Sequence, residues 1–263
     1  MSKNLKRIVR DMLLGAFALA ASSVAVHAIP VTQMGFAIDQ SGSISGAEFN
    51  LMRGGFASAF ASLPTDSSIE VSVVKFGSAT QTVFPATVIN SAATRTALIA
   101  AINGMTQIGG GTNMSSGINA LTTLLTGSGN FADPLSRALI NVSTDGFPNS
   151  QSNTAAASAA ALAAGIDGLT AEAIGPSSGT GFLRTIVFNP QGGLGTGVIL
   201  AQNAAPPNVL TAANAWVVPV SNFSAFGAVI NSKITAITGV PEPASIFLLG
   251  LGLIGLAVRR RAH

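Results

Sequence analysis

Apolar stretches of strand length alternate with helical patterns along most of the chain, and this alternation restricts its fold more than any other feature. The predicted strands cover residues 31–39, 69–76, 80–89, 138–142, 169–174 and 216–220. The predicted helices run from Ser45 to near Pro64 and over residues 92–102, 112–125, 154–164 and 224–237. Strands that alternate with helices favour a parallel sheet covered on both faces. We therefore predict a doubly wound α/β domain with a mainly parallel sheet, plus a hydrophobic helix near each terminus.

The first helix has the clearest local signals. Ser45 and Glu48 have the spacing of a capping box, in which a hydroxyl and a carboxylate satisfy free backbone N–H groups. Large apolar residues then recur every three or four positions and give the helix one apolar face. These residues are Phe49, Met52, Phe56, Phe60 and Leu63. The third strand contains Pro85, so we place it at an edge of the sheet.

Residues 176–214 depart from this regularity, because glycine, proline and asparagine crowd the segment. We expect an irregular insertion there, with short strands near residues 185–188 and 198–200. The insertion lies within a single predicted domain, residues 29–239. Asn141-Val142-Ser143 fits a glycosylation pattern, but it lies on a predicted buried strand and we assign it no modification.

The N-terminus has the composition of a secretory signal peptide. Four basic residues within the first ten positions precede an apolar segment from Met12 to Val26. Val26-His27-Ala28 then supplies the small residues of a cleavage site. Residues 1–28 are therefore predicted to direct export and to be removed by signal peptidase.

The C-terminal segment, residues 240–263, combines three features in order. The motif VPEP precedes the apolar run SIFLLGLGLIGLAV, and three arginines at 259–261 follow it. The run is shorter than the roughly 20 residues of an ordinary membrane-spanning helix. The three features resemble the PEP-CTERM sorting signal of Gram-negative bacteria. The resemblance implies a short transmembrane helix that anchors the chain transiently and is cleaved off by an exosortase. It also implies delivery to the cell surface or to an exopolysaccharide matrix such as a biofilm. An ordinary tail anchor is the alternative.

The basic isoelectric point, near 10.0, comes from these terminal segments. Seven of the 13 Lys and Arg residues lie in them. The body of the chain has six basic and eight acidic residues, which gives it a net negative formal charge. Binding to nucleic acid depends on clustered Lys and Arg side chains. The composition therefore excludes a nucleic-acid partner.

The residue types that the body lacks narrow its chemistry. The chain has no Cys and no Tyr, and its two histidines, His27 and His263, fall in the terminal segments. Nucleophilic catalysis by Cys-His or Ser-His-Asp groups needs residues that are missing here. A zinc site built from histidine or cysteine is excluded for the same reason.

Polar loops that contain carboxylates and hydroxyls follow or connect the predicted strands. Asp39 comes directly after the apolar run MGFAI, and no basic side chain precedes Arg53 in the body. An unpaired carboxylate at a strand end needs a partner, and a bound cation is the obvious one. The three loops contain Asp39-x-Ser41-x-Ser43, Gly110-Gly111-Thr112 and Thr144-Asp145-Gly146. Ligation by oxygen alone suits a hard divalent ion, Mg²⁺ first, with Mn²⁺ or Ca²⁺ possible.

At these positions the sequence resembles the metal-ion-dependent adhesion site of von Willebrand factor A domains. The resemblance covers roughly residues 31–175 and includes all five positions of the motif. It implies that Ser41, Ser43 and Thr112 bind the ion directly. Asp39 and Asp145 would hold the ion largely through water, which leaves it electrophilic and open to an acidic group from a partner.

These observations together predict an exported binding or adhesion module that is not an enzyme. Its partner would be an acidic protein side chain or an acidic polysaccharide, bound through the cation. A passive matrix protein, whose metal only ties the loops together, is the first alternative. A metal-assisted hydrolase is a remote second, because a general base is missing. A phosphate site at Gly109–Gly111 is disfavoured because the lysine of a P-loop is absent.

Overall fold

A computed structural model describes residues 31–176 and 178–239. In that part of the chain seven strands form one sheet in the order β3-β2-β1-β4-β5-β7-β6. The strands are β1 (Thr32–Asp39), β2 (Ile69–Phe76), β3 (Thr80–Val88), β4 (Arg137–Thr144), β5 (Gly168–Ile174), β6 (Val198–Ile199) and β7 (Trp216–Val220). The helices are α1 (Gly46–Phe60), α2 (Ala92–Asn103), α3 (Met114–Thr126), α4 (Gln151–Ala163), α5 (Thr180–Ile186) and α6 (Phe223–Thr238), with a 3-10 turn at Gly129–Ala132.

The sheet is parallel except for β3, which pairs antiparallel with β2 at one edge. The chain winds outward from β1 to β3, then returns to place β4 on the other side of β1. The winding therefore reverses between β1 and β4, whose carboxyl ends lie side by side with Ile38 opposite Ser143. Ligand sites of doubly wound sheets form at this kind of reversal.

Helices cover both faces of the sheet, so the predicted doubly wound α/β fold is confirmed. Helices α1, α2 and α6 pack on one face, and α3, α4 and α5 pack on the other. On the first face, the rings of Phe36 and Phe60 meet edge to face at 5.0 Å, as do those of Phe56 and Phe226. These contacts hold α1 and α6 together over the middle of the sheet. The capping box of Ser45 and Glu48 is present at the start of α1.

One predicted element is wrong. The strand expected near residues 185–188 is instead the end of helix α5, and only Phe188 makes an isolated antiparallel bridge, with Leu169. Leu183 and Ile186 are buried one turn apart against the second face. Gly179, with φ +65°, is the residue just before the helix. The short strand predicted near 198–200 is confirmed as β6.

The terminal predictions fall largely outside the described residues. The signal peptide, the apolar run after VPEP and the expected terminal helices all lie there. Within residues 31–176 and 178–239, no helix combines the length and the apolar composition needed to cross a membrane.

Candidate metal centre

Asp39 is the last residue of β1, and its side chain is fully buried. Its Oδ1 accepts a hydrogen bond from the Ser41 backbone N–H at 2.8 Å, and its Oδ2 accepts one from the Thr144 hydroxyl at 2.6 Å. Burial raises the pKa of Asp39 to about 6, although these hydrogen bonds oppose the shift. In the described part of the chain no basic side chain forms a salt bridge with it. The carboxylate is thus held in place but lacks a positive partner.

Hydroxyl groups connect this strand end to Asp145. The Ser41 and Ser43 hydroxyl oxygens lie 3.0 Å apart, and Ser43 donates to Asp145 Oδ1 at 2.9 Å. Burial also raises the pKa of Asp145, and the negative charge of Glu48 adds to the shift. Four of the five predicted site residues therefore share one hydrogen-bonded edge, with Asp39 joined through the Ser41 backbone.

Thr112 reaches the same edge through backbone contacts. The loop before it packs on the loop after β1, because Gly42 N donates to Gly110 O and Gly109 N donates to Gln40 O, both at 2.8 Å. Gly110 has φ +76° and lies so close to Ser78 that an added Cβ would be 2.6 Å from the Ser78 Cβ. A glycine is therefore required for this approach. Among the described residues, the Thr112 hydroxyl forms no hydrogen bond with the other four predicted ligands.

The donor set fits a hard divalent cation. It consists of two carboxylates and three hydroxyls at the carboxyl ends of β1 and β4 and in the loop before α3, with no nitrogen or sulfur among the five. Mg²⁺, Mn²⁺ and Ca²⁺ prefer such oxygen ligands. A cation would also supply the positive charge that buried Asp39 lacks. In residues 31–176 and 178–239, no three His, Cys, Asp or Glu side chains form a metal-binding cluster, so the candidate centre depends on its hydroxyls as well as its two carboxylates.

Three residues that the sequence did not single out complete the site. Thr144 fixes Asp39 Oδ2, and Gln107 Nε2 donates to the backbone oxygens of Ser41 and Ile44 at 3.2 and 2.6 Å. Asn149 accepts from Thr112 N and donates its own N–H to Thr112 O, both at 2.9 Å. Thr144 was detectable as the neighbour of Asp145. No local pattern distinguishes Gln107 or Asn149 from ordinary loop residues.

Comparison with protein families gives two matches. The von Willebrand factor type A domain family matches residues 34–194. The PEP-CTERM protein-sorting motif matches residues 239–261. The first match ends before β6, yet β6, β7 and α6 belong to the same sheet and core. A comparison with curated proteins found no match.

Several solved structures have a similar fold. One is proximal thread matrix protein 1 from the mussel byssus, in a structure whose MIDAS motif is occupied by zinc. It is 17% identical in sequence, with a TM-score of 0.59, and the matched region includes 79% of the present chain and 47% of the mussel protein. The pilus adhesin SpaC from Lactobacillus rhamnosus GG is 12% identical, with a TM-score of 0.60, and the matched region includes 80% of the present chain and 31% of SpaC. Manganese-loaded TRAP protein from Plasmodium vivax is 18% identical, with a TM-score of 0.50, and the matched region includes 59% of the present chain and 62% of the TRAP chain. The present chain thus spans less than two thirds of each of these relatives.

Proposed function

The chain belongs to the von Willebrand factor type A domain family and carries a PEP-CTERM sorting motif, and on this premise we propose that it is an exported, cation-dependent binding module. The proposed ligands are Asp39, Ser41, Ser43, Thr112 and Asp145. Bound Mg²⁺ would offer an open coordination position to a carboxylate of the partner. The partner would be an acidic protein side chain or an acidic polysaccharide at the cell surface or in an extracellular matrix.

One observation carries the proposal: two carboxylates meet at the winding reversal, and no basic residue of the described chain forms a salt bridge with either of them. Asp39 is buried, and Asp145 reaches the same edge through Ser43. A site that served only to close the loops would be more stable with neutral side chains, because burial of a charge costs free energy. The arrangement is therefore better suited to a cation. Mn²⁺ and zinc, the metals bound by two proteins of similar fold, are also compatible with oxygen ligands, so the identity of the metal belongs to the proposal.

This chain's residues have separate roles in the proposed mechanism. Asp39 and Asp145 supply negative charge, and the three neutral hydroxyls complete the set without cancelling the charge of the cation. Thr144, Asn149 and Gln107 orient the three loops. The sorting motif supports processing by exosortase and exposure outside the cell, where an acidic partner would be encountered.

A titration with a defined acidic polymer tests the proposal. Alginate, a polysaccharide rich in carboxylates, would be added to the full chain in Mg²⁺ or in EDTA, with neutral dextran as the control polymer. We expect calorimetry to detect binding of alginate in Mg²⁺ only, and none of dextran. Binding of equal strength in EDTA would refute a cation-mediated contact.

The same titration separates the passive matrix alternative. In both cases Mg²⁺ raises the melting temperature, because a ligand that binds only the folded chain stabilises it. Only the binding module gives a further metal-dependent response to the acidic polymer. A hydrolase gains no support from the described residues, because His and Cys are absent from the body and the two carboxylates are assigned to the ion.

A further inference from the structure

A second polar cluster lies in the core, and none of its side chains is a proposed ligand of the metal centre. Lys233 on α6 is fully enclosed between the helix and the sheet, and its Nζ contacts the Asn141 side-chain Oδ1, Thr170 Oγ1 at 2.6 Å and Glu172 Oε1 at 3.0 Å. Asn141 and Glu172 are 4% and 0% exposed. The Trp216 ring covers the amine, with its centroid 4.6 Å from Nζ. The proposed binding function does not use this cluster.

The register of the sheet places these groups together. Asn141 on β4 is opposite Thr170 on β5, and Ser143 is opposite Glu172. Side chains two positions apart share a face of a strand, so all four point at α6. The positions would ordinarily be apolar, since Met34, Phe36 and Leu139 belong to the same core. A buried charge pair of this kind adds little stability by itself. Stability alone therefore does not account for its presence at the centre of the fold.

We propose that Lys233 and Asn141 condense into an intramolecular isopeptide bond, with Glu172 transferring the protons. The Lys233 Nζ lies against the amide group whose carbon, Cγ, it would attack. Glu172 contacts the nucleophile through Oε1. Its other oxygen, Oε2, accepts from the Ser143 hydroxyl at 2.8 Å, and Ser143 in turn accepts from Asn141 Nδ2 at 3.1 Å. The hydrogen bonds therefore connect the attacking nitrogen with the leaving nitrogen through Glu172 and Ser143.

The reaction balances without any other reagent. Glu172 takes a proton from the Lys233 ammonium, and the neutral amine forms a bond to Asn141 Cγ. The Cγ–Nδ2 bond then breaks, and the leaving nitrogen receives a proton by way of Glu172 and Ser143. The attacking nitrogen loses two protons in all, both of which depart with the Asn141 nitrogen as ammonium. Glu172 ends as a carboxylate, and nothing is oxidised or reduced.

The surroundings favour the reactive form of the lysine. Desolvation by burial lowers the pKa of Lys233, while Glu172 opposes this shift. A lowered pKa makes the neutral, nucleophilic amine more accessible. In the folded chain, fixed neighbours also hold the amine and the amide together, and such proximity greatly accelerates a reaction between two groups. A small cavity bounded by Asn141, Thr170 and Lys233 adjoins the cluster.

The bond would act as a covalent cross-link in a chain that has no cysteine. It would join α6 to the central strand β4 across 92 residues of sequence. Closing a long loop restricts the unfolded chain and stabilises the folded one, as disulfides do. Because α6 directly precedes the sorting motif, tension applied at the C-terminal end would pass into the middle of the sheet.

Tryptic mapping of the denatured full chain tests the proposal. Trypsin cuts after an unmodified lysine, and an acylated lysine resists it. We expect no cleavage after Lys233 and a branched product that joins the peptide beginning at Ala138 to the one beginning at Thr185, lighter than their sum by one ammonia. Lys75 is an internal control: it is also buried, but among the described residues its amine donates hydrogen bonds to Thr106 alone, so cleavage after it should be complete. Complete cleavage after both lysines overturns the proposal.

A variant then tests the part played by Glu172. Glu172→Gln keeps the size of the side chain and a hydrogen-bond acceptor but cannot take up a proton. We expect its branched product to fall at least about tenfold, with an unchanged circular dichroism spectrum. An unchanged amount of branched product overturns the role of Glu172. If the variant fails to fold, the wild-type map still decides whether the bond exists.

Discussion

The Ser43 hydroxyl donates a hydrogen bond to Asp145 Oδ1 at 2.9 Å, across 102 residues of sequence. The contact exists because β1 and β4 are adjacent although two strands and three helices separate them along the chain. The winding reversal thus brings together a loop rich in hydroxyls and a second carboxylate. Because this hydrogen bond joins the two loops, we expect replacement of a charged residue in one loop to affect the other loop.

Replacing Asp39 by Asn should weaken metal binding. The substitution removes a full negative charge beside the proposed cation, and we expect Mg²⁺ affinity to fall by about 100-fold. Isothermal calorimetry on the metal-free chain measures this directly. Asp133→Asn is the matched control, because Asp133 lies before β4, at the opposite end of the strand from the site, and within the described residues its Oδ1 accepts a hydrogen bond from Leu135 N alone. Equal affinity in wild type and Asp39→Asn would contradict the assigned site.

The sequence could predict that the candidate residues share one edge of the sheet, because they belong to local motifs placed by a regular fold. Asp39, Ser41 and Ser43 follow a recognisable apolar strand, and the alternation of elements predicts that the carboxyl ends of β1 and β4 meet. Asn149 was not predictable in this way. Its contact with Thr112 depends on the path of two irregular loops, and no periodic pattern specifies such a path.

The stability of the metal-free chain should fall as pH rises from about 4 to above 6. The pKa of Asp39 is 3.8 in its ordinary state and about 6 in the folded chain, so the folded state binds the proton more tightly. Its contribution to stability is complete below pH 3.8 and is lost as pH rises through 6. The loss is on the order of 3 kcal/mol. Urea unfolding at a series of pH values measures it.

Two comparisons isolate the effect of Asp39. Hydrogen bonds lower the pKa values of Glu48 and Asp66, so these groups change stability in the opposite direction. Subtracting the free energy of unfolding of Asp39→Asn from that of wild type at each pH removes the contribution of Glu48 and Asp66. Mg²⁺ should abolish most of the difference above pH 6, because the cation binds the ionised carboxylate. A difference that stays constant with pH in the metal-free chain contradicts the prediction.

Replacing Asn149 by Ala should weaken metal binding without removing a proposed ligand. Asn149 Oδ1 holds the Thr112 backbone N–H, and its loss leaves Thr112 less well oriented. Loss of a side chain that orients a metal ligand without binding the metal typically lowers metal affinity by about tenfold. Calorimetric titration of Mg²⁺ is the measurement. Asn153→Ala, at an exposed position of α4, is the control and should bind as tightly as wild type; a similar loss in both variants would point to a general effect on folding.

The fold was less predictable beyond β5, and helix α5 shows why. Its residues Thr185 and Ile186 are β-branched, which favours a strand, and Gly179 and Gly181 at its start hide the helical period. Burial of Leu183 and Ile186 against the second face of the sheet decided the outcome instead. Tertiary packing of this kind overrides local propensity in short segments.

Two adjacent glycines of α1 should respond oppositely to alanine. Gly55 faces α6, where an added Cβ would lie 3.0 Å from the Gly227 Cα, whereas an added Cβ at Gly54 meets nothing within 4 Å. Gly54→Ala should stabilise the chain by about 0.5–1 kcal/mol, because alanine favours the helix. Gly55→Ala gains the same helix preference but forces α1 and α6 apart. Overpacking costs about 1–3 kcal/mol, so we expect net destabilisation. Urea unfolding of both variants measures the two free energies, and equal stabilisation would show that the helices separate at no cost.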